Sequence, residues 1–221
     1  MVRIIQYLKT LPVKTISIPK VEADDVIAYL SKSVITHPKD KSFIVSSDKD
    51  FLQLVDENVV VYRPMEKEYY TPQTVIDKYK LSPHNFILHK TLLGDNSDKI
   101  KGVKGLGEKG LLKKFPELIE KDMSWGDILN ICEEKISEHL VYARIIHGRD
   151  DLEKNYKIMD LSNPMLSKED KIWLDEIVAS DNLPYYPDQF VSMYNEDQIG
   201  GLIRNVEFWV KDCFNNLVIK K

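Results

Sequence analysis

The side chains best suited to chemistry in this 221-residue sequence are carboxylates, and they fall in three groups. Glu22, Asp24 and Asp25 stand in EADD, Asp48 and Asp50 in SSDKD, and Asp95 and Asp98 in GDNSDK. Each group has an ordinary explanation. First-turn acids complement a helix dipole, an Asp after a strand serves a polar loop or an N-cap, and Asn, Asp and Ser favour turns. Together they point elsewhere. Carboxylates gathered in one place repel, and their pKa values rise unless a cation joins them. Oxygen-only donors without His or Cys select Mg²⁺ or Mn²⁺ over Zn²⁺. Two such ions clamp a phosphodiester, one generating hydroxide and the other stabilising the leaving oxygen. None of the five histidines has a metal-ligand spacing.

Directly behind the third acid group, Gly102, Gly105, Gly107 and Gly110 alternate with lysines. Residues 105–110 match G-x-G-x-x-G, but they follow a polar loop and a helix where a dinucleotide fingerprint follows a strand. No Gly-Lys-Ser/Thr triplet makes a P-loop. The better reading is a tight turn between helices at 85–93 and 108–115, a helix-hairpin-helix over about 85–115. Its backbone at Gly102, Val103, Gly105 and Gly107 would approach a phosphate, with Lys101, Lys104, Lys109, Lys113 and Lys114 adding charge. Such contacts position DNA without reading its sequence. The formal net charge of the chain is −4, yet residues 99–114 hold six lysines against one acid, Glu108, a local balance of +5. A basic stripe on an acidic protein still steers a phosphate backbone. A glycine turn with solvated lysines is the plain alternative.

These groups need elements to position them. The pattern predicts a short helix at 3–9, a strand at 15–18 (TISI), a helix at 21–33, a strand at 43–46 (FIVS) buried on both faces, a short helix at 51–55 and a buried strand at 59–62 (VVVY). That is the rhythm of a parallel sheet. A short edge strand follows at 68–70. Thr71-Pro72 and Ser82-Pro83 start helices, the second running to about residue 93. Further helices are predicted at 108–115, 125–135, 137–153, 168–179 and 198–215. The sequence therefore divides into an α/β part, 1–70, and an all-helical part, 71–221. The SSDKD acids follow FIVS, at the carboxyl end of a parallel strand, where open α/β sheets bind ligands. If the chain stays extended there, Asp48 and Asp50 project the same way.

Composition bounds the rest. At 43% apolar and 30% charged, the chain can build a core and stay soluble. No run of 18 apolar residues predicts a membrane span, and the first residues lack the pattern of a signal peptide. Cys132 and Cys213 read as buried free thiols of a reducing cytoplasm.

EADD, SSDKDFLQL and LLGDNSDKIKGVKGLGEKG, in that order, resemble the flap endonuclease and 5′–3′ exonuclease superfamily, most of all the ribonuclease H of T-even-type phages. The likeness spans residues 19–115 and extends more loosely to LPYYPDQF and the Trp209 helix. It implies a PIN-like nuclease core followed by a helical domain with a helix-hairpin-helix. It implies that Glu22, Asp24, Asp48, Asp50, Asp95 and Asp98 serve catalysis and hold two Mg²⁺ ions, with Mn²⁺ a substitute and Asp25 an outer neighbour. It implies that residues 102–110 grip duplex DNA, in several members with a bound K⁺. Family members cut 5′ ends or flaps of DNA and RNA primers paired to DNA, which implies a replication role in the cytoplasm of an infected bacterial host. A single-stranded-DNA-binding protein and a sliding clamp are the protein partners that the family suggests.

The sequence departs from the family in one respect. Members begin with a strand bearing an essential Asp, then a second Asp-bearing strand and an arch with catalytic Lys and Arg. None of these precedes Glu22. A parallel α/β sheet usually has at least four or five strands; three parallel strands are predicted here, so about one third of the family's fold is missing at the front. The first expectation is therefore part of a split or truncated nuclease, working with an N-terminal nuclease fragment. A non-catalytic duplex-DNA-binding remnant is the second. An unrelated metal-dependent phosphatase, kept open by SSDKD, is the third.

Overall fold

A computed structural model describes residues 2–180 and 183–218, with side chains through 215. Packing divides the chain into two compact units: Val21–Ser167, and Met1–Lys20 together with Lys168–Lys221. The expected change from α/β to helical structure near residue 70 falls inside the first unit.

In the unit Val21–Ser167, a helix (Ala23–Ser33, here α2) leads to a three-stranded sheet of β1 (Ser42–Val45), β2 (Val59–Arg63) and β3 (Glu68–Tyr70), in that spatial order. β1 pairs parallel with β2, Ser42 opposite Val59, and β3 pairs antiparallel with β2. A 3₁₀ helix, Asp50–Leu54, connects β1 to β2. Val59, Val61 and Tyr70 join Ile44, Phe51, Leu52 and Leu54 in one apolar core. Two expectations change here. Residues 15–18 form no strand, because a strand exists only by pairing and they have no ladder partner among the described residues. β1 is not buried on both faces: it lies at the sheet's edge, with Ile44 buried and Phe43 and Val45 59% and 67% exposed. Tyr69 of β3, packed edge-on against Phe43, is also exposed. The sheet thus has an open edge and an apolar face open to solvent, unusual for parallel strands.

Thr71-Pro72 starts a helix as the sequence signals, whereas the helix expected from Ser82-Pro83 begins only at Phe86. Thr71 caps α3 (Pro72–Tyr79), its hydroxyl accepting the Thr74 amide at 3.4 Å. α4 (Phe86–Leu93) is almost wholly buried and bridges two cores: Phe86 packs with the sheet, Leu88 and Leu92 with the helices that follow. Its position is fixed by Asn85, fully buried just before it. The Asn85 side-chain amide donates to the carbonyls of Leu118 (2.9 Å) and Lys121 (2.8 Å), and its oxygen accepts the Met123 amide (2.8 Å). After α4 come a two-stranded ribbon, β4 (Gly94–Asp95) with β5 (Ile100–Lys101), then α5 (Glu108–Lys114), α6 (Glu117–Glu120) and α7 (Trp125–Glu134). Ser124 and Asp127 form a capping box at the start of α7. The single helix expected over 137–153 is two, α8 (Leu140–His147) and α9 (Arg149–Met159), broken at Gly148. Cys132 is buried in α7, which pushes its thiol up to about 12.

The other unit holds α1 (Val2–Leu8), α10 (Lys168–Ala179), α11 (Pro187–Glu196) and α12 (Val206–Val218). Leu11, Phe190 and Val210 form its core, with Tyr7, Trp209 and Phe214 against them. The expected helix at 198–215 begins only at Val206, and α11, started by Pro187, was not foreseen. Asp197 accepts from Arg3 Nε and Tyr7 Oη, both at 2.7 Å, and Lys14 Nζ donates to the carbonyls of Val178 and Ser180 at the end of α10. Cys213 is exposed, contrary to the buried thiol expected. Among the described residues, no helix is long and apolar enough to cross a membrane.

Candidate metal centre

Three elements deliver carboxylates to one cleft of the unit Val21–Ser167. The loop after β1 carries Asp48, the 3₁₀ helix opens on Asp50, and Asp95 stands in β4 directly after α4. The chain does not stay extended between the first two, as the sequence pattern suggested. It turns, and the Asp48 carboxylate accepts the Asp50 amide at 2.9 Å. Arg63 of β2, buried, holds this loop by donating from Nη2 to the Ser47 carbonyl at 2.7 Å, while its Nη1 pairs with Glu66 at 2.6 Å. Gln53 holds the 3₁₀ helix in place: its side chain donates to the Met159 carbonyl (3.0 Å) and accepts the Leu161 amide (2.9 Å). The cleft has a volume of about 770 Å³ and is lined by Asp48, Asp50, Lys90 and Asp95 among others.

Oxygens of Asp50, Asp95 and Asp98 lie within 4.8 Å of one another. Asp50 and Asp95 are half-buried and Asp98 is exposed. Three carboxylates at that separation make an all-oxygen donor set suited to a hard divalent cation. Asp24 belongs to the same electrostatic group. Burial raises its pKa, and the charges of Asp48 and Asp50 raise it further. Burial also raises that of Asp50, against the pull of Lys90. Asp95 moves the other way, well below the usual carboxylate range, because Lys90 and Ser97 both hydrogen-bond to it. Lys90 reaches both carboxylates but brings a single positive charge, and desolvation leaves Asp50 the harder of the two to ionise.

Not every expected acid joins the centre. Asp25 accepts the Met165 amide at 2.8 Å and so fastens α2 to the segment after α9. Glu22 is exposed just before α2 and, like Asp24, does not line the cleft. Lys90 escaped the sequence reading. It sits within an apolar helix, FILHKTLL, and a lysine buried there has to find acidic partners. Arg63, closing the apolar strand VVVYR, carries the same kind of signal.

The glycine–lysine segment follows in one continuous piece. An added Cβ on Gly102 would stand 2.1 Å from the Leu93 carbonyl carbon. On Gly94, at φ +81°, it would stand 2.3 Å from the Gly102 nitrogen. The two backbones therefore touch, and the ribbon closes against the end of α4. Val103 and Leu106 anchor the turn in the core, and the Val103 amide already donates to the Leu92 carbonyl at 2.8 Å. Val103 is thus a packing residue with its amide in use. Lys101, Lys104, Lys109 and Lys113 are exposed, and Lys114 lies half-buried over the Tyr142 ring. Arg144 of α8 donates to the Lys104 carbonyl at 2.6 Å, adding a charge to this surface that the local sequence did not reveal.

A small mixed sheet with acids beyond the carboxyl end of β1, followed by helices, makes this an α/β arrangement. A sequence profile of the 5′-3′ exonuclease, N-terminal resolvase-like domain, matches residues 1–80. The chain is 35% identical over 173 residues to a 5′-3′ exonuclease of Aquifex aeolicus, covering 75% of this chain and 55% of that protein. It is 35% identical over 141 residues to the thermostable DNA polymerase I of Thermus thermophilus, covering 59% of this chain and 16% of that one. Among solved structures, the bacteriophage T5 flap endonuclease in a pseudo-enzyme–product complex with DNA and metal ions superposes with a TM-score of 0.57. The identity there is 21%, over 82% of this chain and 62% of the phage chain. The chain is thus similar in sequence to 5′–3′ exonucleases, and in fold to a flap endonuclease. It spans about half the length of the Aquifex relative.

Proposed function

We propose that this chain carries the metal-holding acids and the DNA grip of a 5′–3′ exonuclease and flap endonuclease, which hydrolyses phosphodiesters in DNA 5′ ends and flaps and in RNA primers paired to DNA. The observation that carries this reading is the meeting of Asp50, Asp95 and Asp98 oxygens within 4.8 Å in an open cleft. The donor set suits Mg²⁺ or Mn²⁺. Bound there, the ions would supply a hydroxide nucleophile and charge stabilisation for the leaving oxygen. Asp50 and Asp95 would be direct ligands, and Asp98, exposed beside them, the third. Asp48 and Asp24, coupled to Asp50 through space, would serve a second ion, with Glu22 at the rim. α4, the ribbon and α5 would serve as a helix-hairpin-helix, holding the duplex through the Gly105–Gly107 turn and Lys101, Lys104, Lys109 and Lys113, with K⁺ a candidate ion at that turn.

The open edge of β1 and the exposed Phe43 and Val45 support a further part of this reading. An N-terminal nuclease fragment would add a strand beside β1 and bring its own acids next to Asp48 and Asp50, since parallel neighbours end on the same side of a sheet. The relatives' greater length agrees with this. Co-expression with the polypeptide encoded immediately upstream should give Mg²⁺-dependent cleavage of a labelled 5′-flap substrate, abolished by Asp48→Ala. A pair that is inert with the flap, and unchanged by Asp48→Ala, ends the proposal.

Lys90 favours a second reading. Its ammonium already neutralises part of the acid cluster without any metal, so the chain could act as a duplex-binding module alone. Salt-dependent duplex binding with no cleavage under complementation would select it.

A further inference from the structure

Lys90 is 6% exposed and is rooted in α4, between the 3₁₀ helix and β4. Its Nζ pairs with Asp50 Oδ1 and lies 2.8 Å from Asp95 Oδ2. The other oxygen of Asp95 is also engaged, accepting the Ser97 amide at 2.8 Å and the Ser97 hydroxyl. Both oxygens of Asp95 and one of Asp50 are therefore committed before any ion arrives. Asp50, Asp95 and Asp98 are also the residues whose oxygens come close enough to share a cation.

We propose that Lys90 is a built-in counter-cation of the metal centre: its ammonium occupies the charge position between Asp50 and Asp95, and a divalent ion binds there by displacing it. The proposal rests on the metal-centre reading above and names what sets the affinity of that centre. An ammonium and a divalent cation compete for the same carboxylate charge, and the ammonium has the advantage of being tethered. Lys90 holds Asp50 and Asp95 together when no metal is present, because without a cation the two carboxylates repel. It also weakens metal binding, so that the centre fills only at adequate ion concentration. Lys90 is on this account a positioning residue, acting through the two acids.

The argument gives a sign that a merely structural role would not. Removing a buried lysine that only supports the fold should leave metal binding unchanged or weaken it. Removing a competitor should strengthen it. Mn²⁺ binding to the purified chain, read from the free-ion electron paramagnetic resonance signal, is the direct test, with wild type, Lys90→Met, Lys90→Gln and Lys90→Arg side by side. Lys90→Met is expected to bind Mn²⁺ roughly tenfold more tightly than wild type. Lys90→Arg, which keeps the charge, should stay near wild type. In metal-free buffer Lys90→Met should melt at a lower temperature than wild type, and Mn²⁺ should raise its melting temperature by more. Should Lys90→Met not fold, Lys90→Gln, which keeps a hydrogen-bond donor without the charge, carries the same comparison. Equal or weaker Mn²⁺ binding in the neutral variants overturns the counter-cation role and leaves the metal centre standing. No Mn²⁺ binding by any of the four proteins overturns both.

Discussion

The carboxylate cleft and the glycine–lysine turn are adjacent in sequence and built on opposite principles. The cleft is an arrangement of side chains. Asp50 and Asp95 come from separate elements and are held in register by one ammonium, with Asp48 turned back onto the Asp50 amide. The turn is an arrangement of backbone. Gly94 and Gly102 touch main chain to main chain, and Val103 hangs from the Leu92 carbonyl. A site held by charge responds to ions and can be retuned by single neutral substitutions. A site held by backbone contact does not retune; it forms or it breaks.

The most damaging substitution should therefore lie in the turn. Gly102→Ala pushes a methyl into the Leu93 carbonyl with no flexible side chain able to yield. A loss of at least about 3 kcal/mol is expected, seen as a large fall in the thermal midpoint. The cleft should suffer with it, because Asp95 sits on the ribbon that Gly102 closes. If Gly102→Ala melts like wild type, the contrast between the two regions is wrong. Asn85→Ala comes next. It strands two carbonyls and an amide around α4, an expected cost of about 3 kcal/mol. It tests whether α4, which carries Lys90 and leads to Asp95, is the shared support of both regions.

Much of this organisation was legible in the sequence because it is local. α10 runs over Lys168–Ala179 as its spacing indicates, Thr71-Pro72 starts α3, and the helices flanking the glycine turn end within a residue or so of their expected limits. The acid groups after β1 and after α4 meet as their positions suggested. What stayed hidden depends on partners far along the chain. FIVS has the composition of a doubly buried strand, yet burial needs neighbours, and among the described residues β1 pairs with β2 alone. TISI has β propensity without a ladder. Lys90 and Arg63 read as interruptions of apolar runs until their partners, forty and sixteen residues back, come into contact. Asp25 looked like its neighbour Asp24 and is instead spoken for by the Met165 amide, 140 residues away.

Smaller effects separate the two regions by function. Asp50→Asn removes a proposed ligand while conserving volume. Substituting the outer partners of metal ligands costs about 10–100-fold in affinity, so loss of the ligand itself should weaken Mn²⁺ binding by about 100-fold or more, measured by titration calorimetry. Duplex binding at fixed salt in metal-free buffer should not weaken, since removing a negative charge does not repel a phosphate backbone. Parallel loss of both activities would mean that cleft and turn form one site.

The lysines should show the converse and the gentlest change. Lys101→Ala and Lys104→Ala remove exposed charges on a turn whose shape is set by main chain, so neither should alter the thermal midpoint beyond the roughly 0.5 kcal/mol typical of surface positions. Mn²⁺ affinity should also stay at the wild-type value. Each should flatten the dependence of log duplex affinity on log salt by about 0.9, the signature of one lost phosphate contact. Unchanged slopes in both, with duplex binding intact, would move the nucleic-acid surface away from this turn. Arg144, whose guanidinium already reaches the Lys104 carbonyl, would then be the next residue to test, because it adds charge to the same surface from α8.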